Sequence, residues 1–266
     1  MWLFLNKSIK IQGFVCYRDG LKIHGTVFRP EASEGTRLPI AIVCHEFMAN
    51  RLFSFPYAYN LVKNGYAAFC FDFNGGGIVS QSEGSSRNMS VLTEMDDLLA
   101  VVDHANRQPY TDGCGVVLYG CSQGGLVCAL TAARFPDSVK ALILQYPALS
   151  IPDDARKGKM IKAEFDPNAV PELLRCGPMK LGRRYAADVM DMDVSQATAG
   201  YAGRVLIMHG DKDTLVDISY SEAAFERYRQ AGAQVQFAII EGAGHIFVKP
   251  KHIKQANRCV TDFLSK

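Results

Sequence analysis

The stretch Cys114-Gly115-Val116-Val117-Leu118-Tyr119-Gly120-Cys121-Ser122-Gln123-Gly124-Gly125 decides the fold. An apolar run ends in G-x-S-x-G, and a helical pattern follows from Gly124 to Phe135. A serine on a sharp turn between a buried strand and a helix is the setting of a nucleophile elbow. The turn needs glycine on both sides, because a Cβ would block the close approach of helix and strand. A serine hydroxyl is a weak nucleophile until a base is aimed at it. A bare G-x-S-x-G also occurs as an ordinary glycine-rich turn, so the rest of the chain must supply the partners.

Outward from this stretch, buried strands alternate with amphipathic helices. Strands are expected at Ile40–Cys44, Tyr66–Phe71, Gly115–Tyr119, Val139–Leu144, Arg204–Met208 and Val235–Ile240. Helices are expected at Phe55–Lys63, Ser90–Asn106, Gly124–Phe135, Ser219–Ala231 and His252–Leu264. In the second helix Leu92, Met95, Leu98, Leu99 and Val102 have helical spacing. Near-continuous apolar strands separated by helices predict an α/β fold, with a mostly parallel central sheet covered on both faces. Lys7–Tyr17 and Leu21–Arg29, joined through Arg18-Asp19-Gly20, read as an antiparallel hairpin at one edge. Pro147–Gly203 breaks the rhythm with Pro, Gly, Met and charge. A long excursion between core strands is rarely structureless, and here it would lie over the carboxyl ends of the strands. Residues 147–203 are therefore expected to form an inserted cap, with 1–146 and 204–266 as the core.

Composition excludes several classes of protein. The chain has 266 residues, 48% hydrophobic and 21% charged, with a net charge of +2. That is globular, and it gives no electrostatic reason to expect nucleic acid or an anionic membrane as partner. No apolar run approaches the ~20 residues of a spanning helix. Met1–Leu5 is too short for the apolar core of a signal peptide. Cys44, Cys70, Cys121 and Cys128 lie inside apolar runs, as small buried hydrophobes do, and no C-x-x-C pair occurs. Free thiols favour a reducing compartment, so a cytoplasmic protein is expected. Oligomeric state is open, with a homodimer one option.

Ser122 needs a base, and the base needs an orienting acid. Of His24, His45, His104, His209, His245 and His252, His245 fits best. It follows Glu241-Gly242-Ala243-Gly244, between the last strand and the last helix, at the sheet edge that carries the elbow. His24 lies in the hairpin, His104 and His252 on helices, and His45 and His209 at strand ends. Asp213 in His209-Gly210-Asp211-Lys212-Asp213 is placed to reach the histidine loop, with Asp211 and then Asp217 as alternatives. The order Ser122, Asp213, His245 is the one expected of such a sheet. Two backbone N–H groups would receive the oxyanion, those of Gln123 and of Phe47 in His45-Glu46-Phe47.

The chain resembles the α/β-hydrolase superfamily over essentially its whole length, and within it the bacterial cinnamoyl (feruloyl) esterases. The matching stretches are Cys44–Arg51, Phe71–Gly75, Gly120–Gly125, His209–Asp213 and Gly242–His245. The resemblance implies a serine carboxylesterase with Ser122 as nucleophile, Asp213 as acid, His245 as base, and Phe47 and Gln123 as oxyanion donors. It also implies substrate-binding roles for Asp154 and Tyr185 in the cap. It implies a small-molecule ester as partner, and neither cofactor nor metal. The family's usual His-Gly is His45-Glu46 here, so the Glu46 carboxylate is expected to turn away, toward Arg51 or solvent. Gly75-Gly76-Gly77 replaces a glycine-flanked histidine and is expected to leave a mobile loop.

Other motifs fail. His45-Glu46 begins H-E-x-x-H, but Ala49 stands where the second histidine belongs. Gly75-Gly76-Gly77 has neither a dinucleotide fingerprint nor a P-loop ending. A serine aminopeptidase or acyl-peptide hydrolase uses the same machinery and stays open as an alternative. A non-catalytic ligand-binding homologue would usually carry a broken triad.

Overall fold

The computed structural model describes residues 9–31 and 35–266. The apolar stretch Met1–Leu5 and the start of the first expected strand lie outside the described residues.

The chain opens with strands β1 (Ile9–Arg18) and β2 (Leu21–Pro30), paired antiparallel from Ile9↔Pro30 to Arg18↔Leu21. Asp19 and Gly20 both have positive φ, 51° and 81°, the backbone that lets a two-residue turn match the twist of its strands. The chain then alternates: β3 (Leu38–Cys44), α1 (Arg51–Lys63), β4 (Ala67–Phe71), α2 (Val91–Asn106), β5 (Thr111–Cys121), α3 (Gln123–Arg134) and β6 (Val139–Gln145). Between β6 and the next core strand lie α4 (Ile151–Arg156), the short hairpin β7 (Lys159–Met160) and β8 (Ala163–Glu164), and the hairpin β9 (Leu173–Cys176) and β10 (Met179–Gly182). Two short helices follow, α5 (Arg184–Met190) and α6 (Val194–Ala197). The core resumes with β11 (Arg204–Gly210), α7 (Ser219–Gln230), β12 (Gln234–Ile240) and α8 (Pro250–Leu264).

Eight strands form one sheet in the order β1-β2-β4-β3-β5-β6-β11-β12. The pairings from β4 through to β12 are parallel, and β2 joins β4 antiparallel. The expected architecture is therefore present, with the hairpin at one edge. Alternation along each strand divides the core into two layers. Ile40, Ile42, Leu142, Leu144, Val205 and Ile207 pack under α2, α3 and α7. Ala41, Val43, Ala141, Ile143, Leu206 and Met208 pack under α1 and α8. Cys44, Cys70, Cys121 and Cys128 are buried and free.

Helix α1 begins four residues before its expected start. Asn50 accepts from the Leu52 amide at 3.0 Å, and the Arg51 amide donates to Asp72 at 2.7 Å. Those contacts hold the first turn, and the helix runs on through Pro56. Among the described residues no helix is long and apolar enough to cross a membrane.

Candidate active site

Strand β5 enters the turn with Ser122 at φ 51° and ψ −117°, and α3 starts at the next residue. A Cβ on Gly120 would meet the Gly124 carbonyl oxygen at 2.3 Å, and one on Gly124 would meet the Cys44 carbonyl oxygen at 2.5 Å. Only glycine allows the strand, the helix and the end of β3 to close on one another here. The unusual backbone turns Ser122 off the helix, and its hydroxyl makes no cap for α3. Its Oγ lies 2.8 Å from His245 Nε2, and His245 Nδ1 lies 2.7 Å from Asp213 Oδ2. The three residues expected from the sequence are thus brought into one hydrogen-bonded line.

Asp213 follows β11 and its side chain is fully shielded from solvent. Its Oδ1 accepts from the amides of Leu215 at 2.9 Å and Val216 at 3.0 Å. Its Oδ2 takes a second histidine, His209 Nε2 at 2.9 Å. Burial by itself would raise the Asp213 pKa, but hydrogen bonds from His209, His245 and the Val216 amide outweigh it. The carboxyl is held well below the usual range and is ionised at neutral pH. His209 Nδ1 lies 2.7 Å from the Ser221 hydroxyl, which donates to it and leaves the ring proton on Nε2, facing Asp213. The sequence placed His209 merely at a strand end. Its only local signal was the spacing of four residues to Asp213.

The alternatives to Asp213 do other work. Asp211 accepts from the Gly242 amide at 2.6 Å and so ties the histidine loop to β11. Asp217 accepts from the Ser219 amide at 2.9 Å at the start of α7. The remaining histidines lie elsewhere: His104 stacks on Phe14, and His45 is buried with its Nε2 accepting from the Phe73 amide at 3.2 Å. Burial lowers the His45 pKa, which suits a neutral ring whose Nδ1 donates to the Glu46 carbonyl at 2.7 Å.

A cavity of about 390 Å³ opens beside Ser122 and His245. Glu46, Phe47 and Met48 line one part of it, and Ser150, Ile151, Asp154, Lys159, Ile161 and Tyr185 another. The Phe47 and Gln123 amides donate no hydrogen bond among the described residues. Asp154 is half-buried, and it accepts from the Ser150 hydroxyl at 2.9 Å. Tyr185 is buried, and its hydroxyl donates to the Gln123 side-chain carbonyl. The other end of that amide donates to Glu94 Oε2 at 2.7 Å. Glu94 lies on α2, 1% exposed, and burial pushes its pKa well up. This acid behind Gln123 was hidden in the sequence, where it reads as one polar position on an amphipathic helix.

Two expectations need correction. Arg51 does not hold Glu46; its guanidinium binds Asp72 and Gln81 instead. Glu46 Oε1 accepts from the Tyr146 hydroxyl at 2.9 Å, a partner one hundred residues away. The Gly75–Gly77 tripeptide is a close-packed joint rather than a slack loop. A Cβ on Gly77 would sit 2.1 Å from the Ala49 carbonyl oxygen, and one on Gly75 would meet the Ser85 backbone at 2.6 Å. The Ile78 amide then donates to the Met48 carbonyl at 3.1 Å.

Sheet order and strand-end loops of this kind are those of the α/β-hydrolase fold. The chain belongs to the prolyl oligopeptidase family, whose sequence profile matches residues 53–266. It is similar to Est1E from Butyrivibrio proteoclasticus, solved with ferulic acid bound, at 26% identity and a TM-score of 0.85. That similarity covers 95% of this chain and 100% of Est1E. The Pyrococcus furiosus esterase Pf2001 shares the fold at 18% identity and a TM-score of 0.72, over 97% of this chain and 92% of the esterase. An uncharacterized 31.7 kDa protein in the traX-finO intergenic region of Escherichia coli is 29% identical over 108 residues, 40% of this chain and 36% of that one. The chain spans less than half the length of the curated relatives it matches.

Proposed function

We propose that the protein is a serine carboxylic-ester hydrolase that works through an acyl-enzyme, on hydroxycinnamate or short-chain acyl esters. The observation that carries this reading is the line Ser122 Oγ, His245 Nε2, His245 Nδ1, Asp213 Oδ2, with gaps of 2.8 and 2.7 Å, open to the cavity. His245 takes the Ser122 proton as Oγ attacks the ester carbon. Asp213, held ionised, fixes the ring with its proton on Nδ1 and stabilises the imidazolium. The negative oxygen falls to the Phe47 and Gln123 amides. His245 then protonates the departing alcohol, and a water attacks the acyl-enzyme by the same path in reverse.

Residues 147–203 act in this reading as a cap, with Asp154 and Tyr185 reading the acyl group. The Tyr185 proton is committed to Gln123, so both residues offer the substrate acceptors. That suits a hydroxylated aromatic acyl group, and the ferulic acid held by Est1E is of this kind. A small molecule in the cytoplasm is the expected substrate. Membership of the prolyl oligopeptidase family favours a second reading, cleavage of an amide at a peptide terminus by the same residues.

A panel of p-nitrophenyl esters, methyl ferulate, methyl cinnamate and aminoacyl anilides separates these readings. Ester turnover that a serine-directed phosphonate stops is expected, and it should fall by about 10⁴–10⁶ in Ser122→Ala. A pure Ser122→Ala sample with more than about a tenth of wild-type turnover sinks the proposal.

A further inference from the structure

Glu46 stands where the resembling esterases have glycine, and its surroundings are specific. It lines the same cavity as Ser122 and His245. The lysine or arginine nearest in sequence, Arg51, is taken by Asp72 and Gln81. Among the described residues no lysine, arginine or histidine forms an ion pair with Glu46. One oxygen, Oε1, accepts from the Tyr146 hydroxyl at 2.9 Å.

Tyr146 is firmly placed. It is fully buried with φ 39°, its amide donates to the Met208 carbonyl at 2.6 Å, and its hydroxyl lies 3.3 Å from that of Tyr57. Its ring packs against the His245 ring, 5.1 Å between centroids. Tyr146 therefore holds the Glu46 carboxylate on the flank of His245. The leaving alcohol takes its proton from His245, and Tyr146 links Glu46 to that ring.

Lys159 also lines the cavity but is exposed, and it forms no ion pair with Glu46 among the described residues. A carboxylate left without an ion-pair partner in a largely apolar cavity attracts positive charge more strongly than it would in water. It also works against the developing oxyanion, a penalty that a cation on the substrate would offset. We propose that Glu46 forms a subsite for a positively charged leaving group. The preferred substrates would then be esters of amino alcohols, with a quaternary or protonated nitrogen close to the ester oxygen. This rests on the serine-esterase reading above.

The test compares choline and 3,3-dimethylbutyl esters of one acyl group, as acetates and as ferulates. The two alcohols share a shape and differ in charge. The wild type should favour the choline ester in kcat/KM by about fivefold, the size of one partly screened ion pair. The ratio should fall to about one in Glu46→Gln, and also in the wild type at about 1 M salt, where the screening length is only ~3 Å. A wild-type ratio at or below one, or a ratio unchanged in Glu46→Gln, overturns the inference. If Glu46→Gln does not fold, the salt series and inhibition by choline against 3,3-dimethylbutan-1-ol decide it. If neither these esters nor p-nitrophenyl esters are turned over, the serine-esterase reading has failed. Calorimetric binding of choline against the neutral alcohol then tests Glu46 by itself, and equal affinities overturn the subsite.

Discussion

Two shielded carboxyl groups stand behind the neighbours of Ser122, and their pKa values are shifted in opposite directions. Behind His245, Asp213 collects four donors: His245 and His209 on Oδ2, and the Leu215 and Val216 amides on Oδ1. Behind Gln123, Glu94 collects one, the Gln123 side-chain amide, and its Oε1 has no hydrogen-bond partner among the described residues. Burial drives both pKa values upward; only at Asp213 do the donors overcome it. The number of hydrogen bonds, more than depth, decides the direction of the shift. Asp213 can thus serve as a fixed charge, while Glu94 ties α2 to the elbow through the Gln123 side chain.

The largest expected effect breaks the charged side. Asp213→Asn should lower kcat by about 10⁴, because an amide neither selects the imidazole tautomer nor stabilises its cation. Asp211→Asn should cost less than about tenfold, since it loses only a loop contact. Steady-state kinetics on a p-nitrophenyl ester check both, and the reverse ranking would remove Asp213 from its role.

Next comes the second donor. His209→Gln should lower kcat by about 10- to 100-fold, the loss of one buried hydrogen bond to a charged group. It should also flatten the dependence of stability on acid. The Asp213 pKa is depressed in the fold, so its stabilisation is present above the unfolded value and is lost as pH falls through the folded value. Removing His209 brings the folded value up toward the unfolded one, so less stability is lost, over a narrower range of pH. A slope of stability against pH below the unfolded value that matches the wild type's would show that His209 adds nothing to the charge of Asp213.

Glu94 titrates with the opposite sign. Its folded pKa is raised above the ordinary 4.5. Its contribution is therefore fully present below that value and is lost as pH climbs toward the folded value, by up to about 1.4 kcal/mol per pH unit. Glu94→Gln should flatten this slope in urea unfolding above pH 4.5. A slope identical to the wild type's would mean that Glu94 titrates alike in the folded and unfolded chain.

The smallest effect lies at the far end of the Glu94 chain. Tyr185→Phe with Asp154→Ala should cost about 1 kcal/mol of stability, since the Gln123 carbonyl loses its donor. The double variant should also lose most of any preference for methyl ferulate over methyl cinnamate. An unchanged order of preference would leave the cap without a part in reading the acyl group.

What the sequence revealed follows from the range of each interaction. Ser122, Asp213 and His245 each sit on a turn with local chemistry of its own, directly after an apolar strand. Strand order then brings them together without further information. Sheet, hairpin and helices were legible for the same reason, apart from the first turn of α1, which is held by the cap at Asn50 and by the distant Asp72. Contacts between distant side chains were not legible. Glu46 meets Tyr146 across 100 residues, and Tyr185 meets Gln123 across 62. Arg51 was misread because sequence proximity favoured Glu46, whereas Asp72 is presented to it by the end of β4. The glycines at 75–77 looked like freedom; their role is to let three backbones touch.

Ser122 holds a non-glycine residue at φ 51°, a conformation that costs about 1–3 kcal/mol wherever a side chain occupies it. Glycine there would relieve that strain. On the serine-esterase proposal it would also end the reaction, so the position sets catalysis against thermodynamic ease. In a lineage released from the need for the hydroxyl, the same strain would favour Ser122→Gly.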